Sequence, residues 1–299
     1  MASSTNIVPE NKLSTAEFVA MTAYLMALNA LAIDVMLPAM SEIGTALGVK
    51  NPNDSQLIVV IYMLGFGTSQ LVWGPVTDRF GRKSVLTWVL IGYVLASLGC
   101  TLAHNFSTLL IWRFILGVAA GGTRVIAVSV VRDLYVGRGM ARIMSLVMTV
   151  FMVVPILAPL IGQTILNTFH VWQSTFGILA IGGAIMLVWS HFRMPETRPP
   201  EKRTSIAPKA IFEAYATVFK TRLALGYMLA SGVIFGALFA FISSSEQIFN
   251  DIFQTPETFV FWFAGIAAAM SVANFTNSRI VEKFGQRVIS HAAMIGFTF

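Results

Sequence analysis

The chain has 299 residues, of which 56% are hydrophobic and 11% charged. Soluble domains carry about 45–50% apolar and about 25% charged residues, so this composition excludes a water-dispersed globular protein and points to lipid as the solvent. The formal net charge of +6 is not the footprint of a nucleic-acid binder, because the basic residues lie in short segments between apolar runs rather than on one face of a soluble fold.

Residues 1–16 form a polar tail without the basic n-region and short apolar core of a cleavable signal. The apolar run that follows is too long for such a core and reads as a retained first span. Eight runs long enough to cross a bilayer are predicted at 17–38, 55–76, 85–103, 108–131, 143–166, 174–192, 223–244 and 257–277. A ninth starts near 288 and stops at Phe299; as a helix it would reach about 18 Å into a core of about 30 Å. The predicted class is an all-α membrane protein. The single cysteine, Cys100, lies inside an apolar run and excludes a disulfide within the chain.

Charge alternates between the loops. Seventeen of the 20 Lys and Arg residues fall on one side of the predicted spans, only Lys50 falls on the other, and Arg113 and Arg124 lie within a span. Under the positive-inside rule this puts the N-terminus in the cytoplasm. Residues 193–222, with Pro195, Pro199, Pro200 and Pro208 amid charge, read as a cytoplasmic linker. It separates a six-helix half at 17–192 from a second, incomplete transmembrane half at 223–299. An internal echo supports two halves: Asp78-Arg79-Phe80-Gly81-Arg82-Lys83 and Glu282-Lys283-Phe284-Gly285-Gln286-Arg287 keep the same order of acid, base, Phe, Gly, polar, base. Parallel six-span repeats are a known transporter plan. The early stop in the third span of the second half suggests a fragment or an incomplete gene product.

Ionisable groups in the bilayer core cost on the order of 2.5–3.5 kcal/mol on insertion scales, which singles out Asp34, Arg113 and Arg124. Asp34 is expected about 6 Å from the outer end of span 1, and Arg113 at similar depth in span 4. A pair there would neutralise both groups and tie protonation to conformation. A static interspan pair and a wetted headgroup position are the alternatives. Gly117 and Gly121 lie between the two arginines as a small-xxx-small stripe for close helix packing. Arg124 is a candidate for lining the pathway, or it snorkels to the cytoplasmic surface. Pro155, Pro159 and Gly162 predict a bent span 5. Asn274, with Asn277, could line the pathway or make an interhelical hydrogen bond. No phosphate-binding loop, zinc spacing or nucleophile motif is present in the sequence, so no enzymatic activity, catalytic residue, cofactor or metal is expected.

The segment Gly74-Pro75-Val76-Thr77-Asp78-Arg79-Phe80-Gly81-Arg82-Lys83 resembles the signature loop of the major facilitator superfamily. The resemblance implies two six-helix halves, with Asp78, Arg79, Arg82 and Lys83 forming a cytoplasmic charge latch between them, and with Gly74 and Gly81 allowing the close approach and turn. Arg113-Phe114-Ile115-Leu116-Gly117 resembles the span 4 segment that the family associates with proton transfer. Pro155 to Gly162 resembles the span 5 antiporter motif, with Ala158-Pro159 where Gly-Pro is usual. Asp34-Val35-Met36-Leu37-Pro38-Ala39 and Val131-Arg132-Asp133-Leu134 resemble the Bcr/CflA drug exporters. These likenesses imply a monomeric, proton-coupled exporter of hydrophobic or amphipathic drugs, with Asp34 and Arg113 as the coupling pair. An importer or facilitator of a small polar solute and a truncated, non-transporting membrane protein are the rival readings.

Overall fold

The computed structural model describes residues 13–203, 208–255 and 258–284, with 288–289, 292–293 and 295–296. Among these residues every regular element is helical. Helix α1, Thr15–Asp34, opens on Ser14, whose side-chain oxygen accepts from the Glu17 N–H at 3.1 Å and satisfies one of the helix's free donors. A 3₁₀ turn, Leu37–Ala39, and helix α2, Met40–Ala46, follow directly. After a second 3₁₀ turn at Pro52–Gln56 come α3, Leu57–Phe80; α4, Arg82–Thr101; α5, Phe106–Leu134; and α6, Gly137–Phe151. The remainder is α7, Val154–Phe169; α8, Gln173–Arg193; α9, Pro208–Lys220; α10, Arg222–Gln247; and α11, Phe259–Phe284.

Among the described residues seven helical segments are long and apolar enough to cross a membrane, and α11 carries a shorter apolar stretch at Phe259–Ala273. Large apolar side chains cover the outside: Trp88 is 73% exposed, Phe192 76% and Val233 75%. In water such a surface would drive association; in hydrocarbon it is the surface that lipid solvates. The protein is therefore a multi-pass membrane protein.

Without a hydrophobic drive between spans, helix contact depends on small residues that let backbones meet. Helix α5 is the clearest case. A Cβ on Gly117 would strike the Tyr62 carbonyl of α3, and one on Gly121 would strike Ser69 and the Phe66 carbonyl. Gly122 lies against Val89 of α4, and Gly99 of α4 lies against Trp112. Helix α5 thus sits between α3 and α4 and also touches α1. Helix α8 packs on α4, with Gly183 against Tyr93, and α7 packs on α1 and α11.

Three predicted elements differ in detail. The first span does not end at residue 38; its helical segment runs from Thr15 to Ala46 with a break after Asp34. Pro38 is the cause, since a proline removes a donor and disfavours α geometry in the preceding residue. The fifth span runs as one helical segment, Gly139–Phe169, interrupted just before Pro155, where α6 gives way to α7. Pro155 stands in the first turn of α7, where its missing N–H costs nothing, and Pro159 alone lies in a helix interior. The linker contains a helix, α9. The loop echo at 282–287 and the ninth run lie largely outside the described residues.

Candidate functional site

The break in α1 is the centre of the first cluster. A helix end leaves carbonyl groups without intrahelical donors, and in a bilayer each needs a partner. Arg113 of α5 supplies one. Its Nη1 donates to the Ala32 carbonyl at 2.8 Å and its Nε to the Ile58 carbonyl of α3 at 3.0 Å. The guanidinium lies 4.5 Å from the Tyr62 ring centroid and 5.7 Å from that of Phe176, so two aromatic faces also take its charge. The residue is fully buried, and its Nη2 has no hydrogen-bond partner among the described residues. The Tyr62 hydroxyl donates to Asn29 Oδ1 at 2.9 Å, and the Tyr93 hydroxyl donates to the Leu28 carbonyl at 2.9 Å, so α1 is held along its length by α3, α4 and α5.

Asp34 is the last residue of α1 and is 5% exposed. It lies inside the helical segment Thr15–Ala46 rather than near its end, because the segment continues past the break. The expected ion pair is absent: among the described residues Asp34 and Arg113 make no salt bridge. Neutral main-chain oxygens, one at the broken end of α1 and one in the first turn of α3, occupy the arginine's donors instead. Gly162 of α7 closes the cluster from the other side, where a Cβ would run into the Val35 carbonyl. The structure therefore brings Asp34, Arg113 and Gly162 to one helix break, with Pro159 one turn before Gly162 on α7.

The second cluster lies at the start of α4. Gly81 has φ of +94°, a backbone region that L side chains avoid, and it turns α3 into α4. Arg82 is fully buried, with Nη2 2.7 Å from Asp78 Oδ1 and Nε 3.0 Å from Asp133 Oδ2, and Nη1 donates to Thr77 Oγ1. These residues close on the chain that follows α8. Glu196 accepts from the N–H groups of Arg82 at 2.8 Å and Lys83 at 3.2 Å, Thr197 donates to Asp133 at 3.1 Å, and Arg198 reaches Asp78 at 3.8 Å. Carboxylate oxygens on the first free donors of α4 suit the positive end of that helix. Arg79 instead lies over the Phe80 ring, 5.5 Å from its centroid. The expected close approach at Gly74 is not found: a Cβ there would meet no heavy atom within 4 Å, since that face of α3 is open among the described residues.

Arg124 lies 6.0 Å from the Phe66 ring centroid, half-buried, with no ion pair among the described residues. Asn274 is on α11, and its side chain lies outside the described residues, as does that of Asn277. Sequence reasoning missed Asn29, Tyr62, Glu196 and Thr197. A tyrosine or asparagine within an apolar run is the signal for the first two, because each must find a polar partner in lipid. Glu196 was masked by the charge of its neighbours.

Residues 22–299 match the sequence profile of the Major Facilitator Superfamily. The chain belongs to the Major Facilitator Superfamily. It is 30% identical over 282 residues to a bicyclomycin resistance protein homolog of Haemophilus influenzae, covering 94% of this chain and 70% of that protein. It is 29% identical over 222 residues to the multidrug resistance protein MdtL of Escherichia coli, covering 74% of this chain and 55% of that protein. These relatives support the Bcr/CflA type within the superfamily. In three dimensions it resembles the xylose transporter XylE of E. coli, in a partially occluded inward-open form, with a TM-score of 0.71 at 14% identity over 91% of this chain and 74% of that one; this likeness speaks for the fold alone. Members of the superfamily are transporters of small molecules, not enzymes.

Proposed function

We propose that the protein is a proton-coupled exporter of hydrophobic or amphipathic drugs, working by alternating access in the bacterial inner membrane with its N-terminus in the cytoplasm. Residues 17–192 and 223–299 belong to two halves that rock against each other, joined by the linker 193–222, and the protein acts as a monomer. The observation that carries the coupling is the broken first span: a buried carboxylate at Asp34 ends α1, and Arg113 holds the carbonyl two residues before it.

Opposite charges attract more strongly in a low-dielectric cluster than in water, and Asp34 and Arg113 meet at one helix break. Ionisation of Asp34 attracts the Arg113 guanidinium away from the Ala32 carbonyl, and protonation returns it. Each protonation state thus prefers a different setting of the break, and the break sets the tilt of α2 and the packing of α7. Binding of a proton and of a drug can then each shift one conformational equilibrium, as coupled transport requires. The latch at Asp78, Arg79, Gly81, Arg82 and Lys83 belongs to the cytoplasmic side of the same motion, and Arg124 and Asn274 line the drug pathway. The resistance functions named for the two curated relatives support a drug as the cargo.

The test is efflux of ethidium by the full-length protein in membrane vesicles under an imposed proton gradient. Asp34→Asn keeps the shape of the side chain and removes the titration, and it is expected to abolish gradient-driven efflux at unchanged expression. Full efflux by that variant removes the coupling role of Asp34.

A further inference from the structure

One buried acid plays no part in the coupling at Asp34. Glu246, in the last turn of α10, is 6% exposed and makes no salt bridge among the described residues. A carboxylate within a span is costly without a counter-charge. The Asn250 amide donates to it, which satisfies a carboxylate oxygen but leaves the charge unneutralised.

Two cavities meet at this side chain. One, of about 160 Å³, is lined by Glu246 with Ser41, Ser55, Ser243 and Asp251, among others. The other, of about 380 Å³, is lined by Glu246 and Asn250 with Glu42, Gln163 and Phe259, among others. The second has the size of a small-molecule site. No lysine or arginine lines either one, so the acids Glu42, Glu246 and Asp251 set the sign of the field inside. Asp34 lines neither, so this acid is separate from the coupling residue. Hydroxyl and amide oxygens around a buried carboxylate solvate positive charge and disfavour anions. Phe259, 2% exposed, adds an aromatic wall. Negative charge beside an aromatic ring is the chemistry that recognises organic ammonium groups. Among the described residues no group of three or more His, Cys, Asp or Glu side chains could hold a metal ion, so an organic cation fits the cavities better than a bare metal ion.

We infer that the cavities at Glu246 form a binding site for the positively charged head of an organic cation, with the Glu246 carboxylate as its counter-charge. The inference rests on the drug-transport reading and names one class of cargo, the cationic amphiphiles. The test is equilibrium binding to the purified full-length protein in detergent, with ethidium as a permanent cation and chloramphenicol as a neutral drug. Glu246→Gln keeps the shape of the side chain and removes its charge. It is expected to weaken ethidium binding by about tenfold, the low end of the loss when a charged partner is removed, and to leave chloramphenicol binding unchanged. Equal ethidium binding by the variant overturns the inference, as does an unsubstituted protein that binds no ethidium. A second measurement does not depend on how the variant folds. Dicyclohexylcarbodiimide modifies buried carboxyl groups, and saturating ethidium is expected to protect Glu246 of the unsubstituted protein from it, read by peptide mass spectrometry. Modification of Glu246 at the same rate with and without ethidium overturns the site. Neither measurement uses a gradient, so a failure of ethidium efflux in vesicles would remove the export reading and leave the site standing.

Discussion

Arg113 shows why a fixed cation can be tolerated inside a span. Its Nε and Nη1 reach main-chain carbonyls of two different helices, and its face rests on Tyr62. A lysine is a point charge on a flexible stem and cannot reproduce that fork. Arg113→Lys is therefore expected to lower stability by about 1.5–3 kcal/mol, the range for a hydrogen bond to a charged group, read as a lower melting temperature of the purified protein in detergent. An unchanged melting temperature would show that the two carbonyls need no partner. Asp34 and Arg113 were legible from the cost of charge in lipid, and so was their common neighbourhood. Their geometry was not, because hydropathy carries no record of which carbonyls a broken helix exposes. Glu196 was illegible for a related reason: a glutamate in a charged, proline-rich segment looks the same whether it is solvated or holds the start of a helix.

At the scale of elements, glycine positions decide which helices meet. Gly162 places α7 against the carbonyl of Val35, and Gly117 places α5 against that of Tyr62. The small-residue stripe at Gly117 and Gly121 was visible in the sequence as a packing face, but its partner was not. Gly162→Ala forces a methyl into main-chain atoms that cannot move aside, and overpacking of this kind costs about 1–3 kcal/mol. A reduced melting temperature with retained membrane insertion is expected, and wild-type stability would mean that α7 shifts freely. At the α4 start, Glu196→Ala leaves the Arg82 and Lys83 N–H groups without their carboxylate. A loss of about 1 kcal/mol is expected, on the scale of removed helix caps, from the same thermal melts. The prolines of span 5 illustrate a limit of spacing arguments. Two prolines four residues apart suggest one distorted stretch, yet α6 ends just before Pro155, Pro155 stands in the first turn of α7, and α7 continues through Pro159.

At the scale of the whole molecule, hydropathy and loop charge made the helical membrane class and most spans legible before any coordinates, because lipid demands long helices with every main-chain group paired. The boundary errors cluster at the break after Asp34, where the chain stays helical without remaining one helix. The proposed orientation rests on charge asymmetry, and it has a direct check. With Lys50→Cys, an impermeant maleimide is expected to label intact cells, whereas Arg203→Cys should react only after the membrane is opened. The reverse pattern would invert the topology.

Proton coupling at Asp34 is tested most directly by following the pH gradient itself. In inverted vesicles acidified inside by respiration and loaded with a pH-sensitive dye, ethidium added to full-length protein should dissipate part of the gradient as protons leave in exchange. With Asp34→Asn the gradient should stand unchanged on the same addition. Equal dissipation by both proteins would contradict the coupling of drug export to this carboxylate.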